Sequence, residues 1–277
     1  MKSGFVAIIG PPNAGKSTLL NKILGEKLAA VTDKPQTTRS RFLGIYNTDD
    51  CQIIFLDTPG VHESEKKLNQ FMKQEVEGAL GGADVICLLF DATAPDLLFD
   101  QFVNRLIKKH PSKNFISLVN KMDLVKEGNL SAKTGYGVPE LIAKIIALLP
   151  EGPAYYPTDE LTDKSLRYLV AEIIREKAME LTFQEIPYSL AVDIISFKEE
   201  EKIVSIEANL VVEQESQKGM VIGKGASLIK EIGIRSRKDI IKLIDNKCFL
   251  KLNVKVDKNW TKNPTRLNYY GYSQNSK

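Results

Sequence analysis

Residues 10–18, GPPNAGKST, have the spacing of a phosphate-binding loop. They follow the apolar stretch FVAII and precede a helical pattern, which is the context that the G-x-x-x-x-G-K-[ST] motif requires. Glycines let backbone N–H groups curl around a phosphate, the lysine reaches the terminal phosphates, and the next hydroxyl can hold Mg²⁺. The residues predicted to bind phosphate here are Gly10, Asn13, Ala14, Gly15, Lys16, Ser17 and Thr18.

The stretch DTPG at residues 57–60 adds a candidate metal ligand. It ends the apolar run CQIIFL, and an aspartate at the end of a neighbouring strand can hold Mg²⁺. Gly60 can bring its N–H close to a γ-phosphate. The loop TDKPQTTRSR offers the hydroxyls of Thr37 and Thr38, of which we prefer Thr38. The residues predicted around Mg²⁺ are Ser17, Thr38 and Asp57.

Two short motifs, NKMD at residues 120–123 and SAK at residues 131–133, could bind a purine base. Guanine presents two adjacent donors, N1–H and N2–H₂, which one carboxylate accepts together and adenine cannot supply. An unpaired carboxylate is costly, so we expect strong discrimination against adenine. The last motif would direct a backbone N–H at the guanine O6. The residues predicted to bind guanine are Asn120, Lys121, Asp123, Ser131, Ala132 and Lys133.

The composition is that of an ordinary folded protein, with 277 residues of which 43% are hydrophobic and 26% charged. The net charge of +3 conceals a basic end, because residues 218–277 contain 14 Lys or Arg and only 4 Asp or Glu. A basic end favours a polyanionic partner, either nucleic acid or an anionic membrane surface. Three scattered cysteines without C-x-x-C spacing argue against disulfides and zinc. We find no signal peptide or membrane-spanning run and expect a cytoplasmic protein.

Short apolar runs alternate with amphipathic stretches over residues 1–150, which predicts an α/β domain with a mostly parallel sheet and helices on both faces. A proline-rich segment at 151–163 predicts a linker. Residues 164–277 have the helical and alternating patterns of an α+β domain with three strands, and the end from Tyr269 is expected to fray. The helices predicted in the first domain span residues 15–24, 66–80, 96–109 and 137–149.

The motifs GPPNAGKST, TTR, DTPG, NKMD and SAK stand in the order found in GTPases of the translation-factor class. PQTTR, DTPGVH, AEIIREK and VKVDKNW resemble the Era family in particular, and the similarity spans residues 4–262. The resemblance implies a monomeric GTP- and GDP-binding switch that acts with Mg²⁺. It also implies binding to the 3′ end of 16S ribosomal RNA and a role in assembly of the 30S subunit. Peripheral contact with the inner face of the cell membrane is a further expectation, which rests on the basic end.

Hydrolysis is expected to be slow. Many GTPases orient the attacking water with a glutamine just after the D-x-x-G motif, where this chain has Val61. Catalysis would then depend on Mg²⁺, Lys16 and backbone donors. Asn13 resembles an asparagine that holds K⁺ in relatives, and a simple turn role for Asn13 stays open.

Residues 221–233, VIGKGASLIKEIG, resemble the core of a type II KH domain. Such domains clamp about four nucleotides of single-stranded RNA against a G-x-x-G turn. Ala226 replaces the last glycine of that turn and would be strained if the position needs a positive φ. The residues predicted to bind RNA are Gly223, Lys224, Gly225, Ala226, Lys230, Arg235, Arg237 and Lys238.

Only seven residues, 124–130, separate the NKMD and SAK motifs. Proteins that this chain resembles usually place a helix and an edge strand there, and seven residues are too few for both because they extend at most ~25 Å. We therefore predict the loss of one helix and one edge strand and a more exposed base pocket. Nucleotide binding would be weakened, or the loop 131–133 would fail to reach the base.

Two other functions stay open on the sequence alone. The chain could be an RNA-binding KH protein with a weakened or vestigial nucleotide site, in which case RNA binding would be indifferent to GTP. It could instead be a membrane-associated signalling GTPase whose basic end contacts anionic lipid without preference for RNA.

Overall fold

The computed structural model describes residues 1–60, 76–125 and 128–272, which form two units. One unit contains residues 1–31 and the described part of 38–164, and the other contains Thr32–Thr37 and residues 165–272. Each unit has its own hydrophobic core. Within the described ranges, no helix is long and apolar enough to cross a membrane.

The first unit is built on a five-stranded sheet with strand order β2-β3-β1-β4-β5. The pairs are parallel except for β2, which runs antiparallel to β3. All seven residues of β3 are buried, as expected of a strand covered on both faces. The five strands are β1 Lys2–Ile9, β2 Phe42–Asn47, β3 Cys51–Asp57, β4 Val85–Asp91 and β5 Asn114–Asn120.

The helices of this unit cover the sheet. The helix α3 packs against it through Phe99, Val103 and Leu106. Asp96 caps the N-terminus of α3, and its carboxylate accepts two backbone N–H groups of the first turn. The predicted α/β domain and three of its predicted helices are confirmed, whereas most of the fourth, 66–80, lies outside the described residues. The helices are α1 Lys16–Leu24, α2 at residues 76–82, α3 Leu97–Lys109 and α4 Val138–Leu148.

The second unit has a three-stranded sheet in which β7 lies centrally, antiparallel to β6 and parallel to β8. Buried apolar residues of α5 and α7 share one core with the sheet. The order α5-β6-β7-α6-α7-β8 is the predicted type II KH arrangement. The elements are α5 Leu166–Leu181, β6 Ala191–Glu200, β7 Ile203–Val212, α6 Glu215–Ile222, α7 Ser227–Ile244, β8 Cys248–Val256 and a short α8, Pro264–Tyr269.

The segment predicted to be a linker is hydrogen-bonded to the first unit. Gln52, buried in β3, accepts the backbone N–H groups of Tyr155 and Tyr156 at 2.7 and 3.0 Å. Ile45 of β2 donates its N–H to the Leu161 carbonyl at 2.8 Å. This unit therefore continues to residue 164. The domain boundaries 1–150, 151–163 and 164–277 stay a prediction.

The chain is packed as far as Tyr272, so the expected fraying from Tyr269 is wrong for the described residues. The ring of Tyr272 stacks on that of Trp260 with their centroids 5.7 Å apart. Trp260 is fully buried and donates its indole N–H to the Ser189 carbonyl at 2.9 Å. This anchoring ties the described residues up to Tyr272 to the second unit.

Ala226 has a φ of 61°, so the position does need left-handed backbone. That conformation costs a non-glycine residue ~1–2 kcal/mol, which exceeds the entropy that a glycine adds to the unfolded chain. Ala226→Gly is therefore expected to raise the free energy of unfolding by about 0.5–1 kcal/mol, measured by urea denaturation. Ala171→Gly, inside α5, should lower it by about 1 kcal/mol. A destabilised Ala226→Gly variant would contradict the strain.

Candidate functional site

The predicted phosphate loop joins the end of β1 to the start of α1. Gly15 has a φ of 95°, and a Cβ there would lie 2.4 Å from Nδ2 of Asn120. Gly60 approaches the same loop, where a Cβ would lie 2.9 Å from the backbone of Pro12. The backbone is thus packed too closely at both points for any other residue.

Lys16 is buried at the start of α1. Its Nζ donates to the carbonyls of Gly10 and Pro11 at 3.1 and 2.8 Å. Burial lowers the pKa of Lys16 to about 8, and the charge of Asp57 opposes this shift. The loop itself therefore supplies the acceptors that hold the ammonium group.

Ser17, Thr38 and Asp57 meet beside that lysine. The Ser17 hydroxyl donates to Oδ2 of Asp57 at 2.6 Å and lies 2.9 Å from the Thr38 hydroxyl oxygen. Oδ1 of Asp57 is buried and has no hydrogen-bond partner among the described residues. Burial raises the pKa of Asp57 to about 6, against the hydrogen bond from Ser17. A carboxylate and two hydroxyls are oxygen ligands of the kind that hard divalent cations bind. The buried Oδ1 of Asp57, which has no hydrogen-bond partner among the described residues, is suited to bind such a cation.

Asn120, at the end of β5, connects the phosphate loop to the predicted base site. Its Nδ2 donates to the Ala14 carbonyl at 2.7 Å, and its Oδ1 accepts the N–H of Ala132 at 2.8 Å. The side chain is buried. One amide group therefore fixes the spacing between the two halves of the site.

The remaining base-site residues lie around this amide. Ser131 donates its hydroxyl to Oδ1 of Asp123 at 2.7 Å, which holds the pKa of that exposed carboxyl below its usual value. Lys121 forms an ion pair with Asp91, the residue opposite Asn120 on β4. Sequence reasoning missed Asp91, although its place after the apolar run VICLLF was an available signal.

The loop 131–133 contacts the NKMD residues in spite of the short connection, and whether it reaches the base stays a prediction. Among the described residues, β5 is the edge of the sheet, as predicted. Oδ1 of Asn120 already accepts the N–H of Ala132. The N–H of Lys133 has no hydrogen-bond partner in the described part of the chain. Weaker nucleotide binding stays a prediction.

The G-x-x-G turn of the second unit lies between α6 and α7. Gly223, Gly225 and Ala226 all have positive φ, at 73°, 58° and 61°. Lys224 projects from the turn and is exposed. Arg235 forms an ion pair with Glu231 at 2.6 Å. The predicted basic residues on α7 are all exposed: Lys230, Arg235, Arg237 and Lys238.

Comparison with known proteins gives two family matches, a 50S ribosome-binding GTPase over residues 5–121 and a KH domain over residues 185–261. GTPase Era of Geobacter sp. (strain M21) is 45% identical over 291 aligned positions, which cover 98% of each chain. GTPase Era of Syntrophus aciditrophicus (strain SB) is 44% identical over 294 positions, which cover 99% of this chain and 96% of that one. Both alignments exceed 277 positions, so each relative has residues without a counterpart here.

Two solved structures are similar over nearly the whole chain. One is a variant of Era from Aquifex aeolicus bound to GDP·AlF4⁻, with 36% identity, a TM-score of 0.94, and coverage of 99% of this chain and 100% of that one. The other is Era in complex with MgGDPNP and nucleotides 1506–1542 of 16S ribosomal RNA, with 36% identity, a TM-score of 0.94 and 99% coverage of both chains. Because relatives of this identity match nearly its full length, the chain belongs to the Era family of GTPases.

Proposed function

We propose that this chain binds GTP with Mg²⁺, hydrolyses it slowly to GDP and phosphate, and binds the 3′ end of 16S ribosomal RNA during assembly of the 30S subunit. The observation that carries the proposal is the cluster of the half-buried Ser17 and Thr38 with the buried Asp57, next to the buried Lys16. A lysine buried at the start of α1 and a carboxylate buried at the end of β3 have no evident structural role. A nucleoside triphosphate and its cation would complement both charges.

The phosphate-side roles follow from the contacts. On nucleotide binding, Lys16 would donate to the β- and γ-phosphates instead of to the carbonyls of Gly10 and Pro11. The backbone N–H groups of residues 13–18 and of Gly60 would donate to the phosphates as well. Ser17, Thr38 and Asp57 hold Mg²⁺, which when bound neutralises charge on the phosphate oxygens. Asn13 holds K⁺ as a further cation. Slow hydrolysis accords with Val61 at the usual glutamine position, which lies outside the described residues.

The base-side roles rest on the amide of Asn120. Asp123 accepts N1–H and N2–H₂ of guanine, while Asn120 binds the N7/O6 side and Lys121 lies along the base. The Lys133 N–H is the donor left for O6. Asp123 is exposed without a ligand, so the penalty for adenine arises when a base covers it.

Binding of 16S ribosomal RNA is supported by the Era complex that contains it and by the exposed basic residues around the G-x-x-G turn. The first alternative, a vestigial nucleotide site, is disfavoured by the contacts that join both halves of the site through Asn120. Contact of the basic end with an anionic membrane, a cytoplasmic location and a monomeric state remain predictions.

Nucleotide binding with Mg²⁺ should depend on the ionisation of Asp57, whose pKa burial raises to about 6. Protons compete with the cation, so Mg²⁺-dependent GDP affinity should fall below about pH 6, by up to about tenfold per pH unit. Fluorescence titrations from about pH 5 to about pH 8, with Mg²⁺ and with chelator, measure this effect. Asp57→Asn removes it while the titration of the nucleotide itself stays. Equal pH profiles for the two proteins would exclude this role of Asp57.

Competition against a fluorescent GTP analogue tests guanine recognition. Unlabelled GTP should displace it and ATP should not. Asp123→Asn is expected to weaken GTP binding by about 100-fold, because the carboxylate charge is lost and the amide NH₂ faces the guanine N2–H₂ as a second donor. The variant should favour xanthosine triphosphate, whose O2 accepts from the new amide. Asp49→Asn, at an exposed turn, is the matched control. Equal displacement by GTP and ATP would leave the KH domain as the functional part.

Lys224 provides a test of RNA binding. Lys224→Ala should weaken binding to an oligonucleotide with the 16S 3′-end sequence by about fivefold and reduce the salt slope by about 0.7, since one phosphate contact is lost. Lys202→Ala removes an equally exposed lysine from the β6–β7 turn and should change neither quantity. An unchanged salt slope for Lys224→Ala would place the RNA elsewhere. An RNA affinity that is the same with GTP as with GDP would favour the vestigial-site alternative.

A further inference from the structure

The outer edge of β5 is hydrogen-bonded by one residue of the short connection, Asn129. The side-chain Oδ1 of Asn129 accepts the Val119 N–H at 2.8 Å, and its Nδ2 donates to the Ser117 carbonyl at 3.4 Å. Its own backbone N–H and that of Leu130 both donate to the Val119 carbonyl, at 3.1 and 3.2 Å. The groups that a sixth strand would bind at 117 and 119 therefore have partners.

An asparagine side chain can do this because its amide carries the same donor and acceptor as a peptide group. Edge strands present a row of unpaired N–H and C=O groups, and proteins cover that row or leave it to water. With seven residues between the NKMD and SAK motifs, the chain has no room for both a helix and a further strand. Asn129 bonds the edge with a single side chain and its adjoining backbone.

The contacts on the other side of Asn129 fix its position. At Gly137, which precedes α4, a Cβ would lie 2.2 Å from the Asn129 carbonyl oxygen. Leu130 is fully buried and its carbonyl accepts the Met122 N–H at 3.1 Å. Asn129 is thus held between the sheet edge and the turn that starts α4.

The base-binding loop begins two residues later. Ser131 contacts Asp123, and Ala132 contacts Asn120, so a displacement at 129 is passed to both contacts within a span of at most ~11 Å. We propose that Asn129 is a positioning residue that replaces the missing edge strand and sets the backbone N–H of Lys133 at the guanine O6. This inference rests on the proposed function and names the residue that makes guanine recognition compatible with the short connection.

The test compares two nucleotides that differ at O6. GTP carries the O6 acceptor, whereas 2-aminopurine riboside triphosphate lacks both O6 and N1–H and keeps the phosphates and the 2-amino group. Each variant is therefore compared with the unchanged protein on the same nucleotide, so that the loss of N1–H affects both equally. With Mg²⁺ present, Asn129→Ala should bind GTP about three- to tenfold more weakly and the O6-free analogue within about twofold of the unchanged protein. Asn129→Asp keeps the acceptor for the Val119 N–H and should recover part of the GTP affinity.

Asn104→Ala, at an exposed site on α3, is the matched control and should bind both nucleotides as the unchanged protein does. Equal losses for GTP and the O6-free analogue would reduce Asn129 to a structural residue and overturn the inference. Guanine-selective binding that Asn129→Ala leaves unchanged would do the same without touching the proposed function. Failure of the unchanged protein to prefer GTP over ATP would instead overturn the proposed function, and this inference with it.

Discussion

The phosphate side of the site depends on the parallel pairing of β1 with β3, which brings two opposite charges into one buried space. Ile8 lies opposite Asp57 in the register, and the Thr58 hydroxyl donates to the Ile8 carbonyl at 2.9 Å. Burial moves the pKa of Lys16 down to about 8 and that of Asp57 up to about 6, so each group resists being charged there. Two such groups destabilise the unliganded fold, and a ligand that complements them should stabilise it by mass action.

Asn120 passes this constraint on to the base side. Its amide bonds to the phosphate loop through Ala14 and to the base loop through Ala132. Both partners lie outside the connection 124–130, so shortening that connection leaves the bonds that set the distance between the phosphate and base sites. Because the Asn120 amide sets this distance, the connection can change in length, provided that residue 132 still lies within hydrogen-bonding distance of Asn120. Asn129 and the buried Leu130 supply that return.

The sequence was sufficient for the elements whose chemistry or periodicity is local. The phosphate loop, the strand that ends at Asp57 and the KH turn follow from motif spacing and apolar runs. The sequence was insufficient where a polar side chain forms hydrogen bonds with backbone groups that are distant along the chain. Gln52 joins residues 155 and 156, and Asn129 joins residues 117 and 119, and neither contact leaves a periodic pattern. The polar Gln52 inside an apolar strand was the one available sign of the first contact.

The difference between the two edges of the sheet explains why this chain can be short on one side. Four of the six residues of the edge strand β2 are buried, whereas the other edge strand, β5, is exposed or half-buried along most of its length. Loss of a strand next to β5 uncovers a few backbone groups, and Asn129 bonds those nearest the site. A comparable loss on the β2 side would disturb the segment that carries Thr38 and the strand that carries Asp57, and with them the proposed cation site. Charged phosphates and a cation need that geometry intact, whereas a base needs only a few directed hydrogen bonds, so we expect shortening to be tolerated better on the base side of the proposed site.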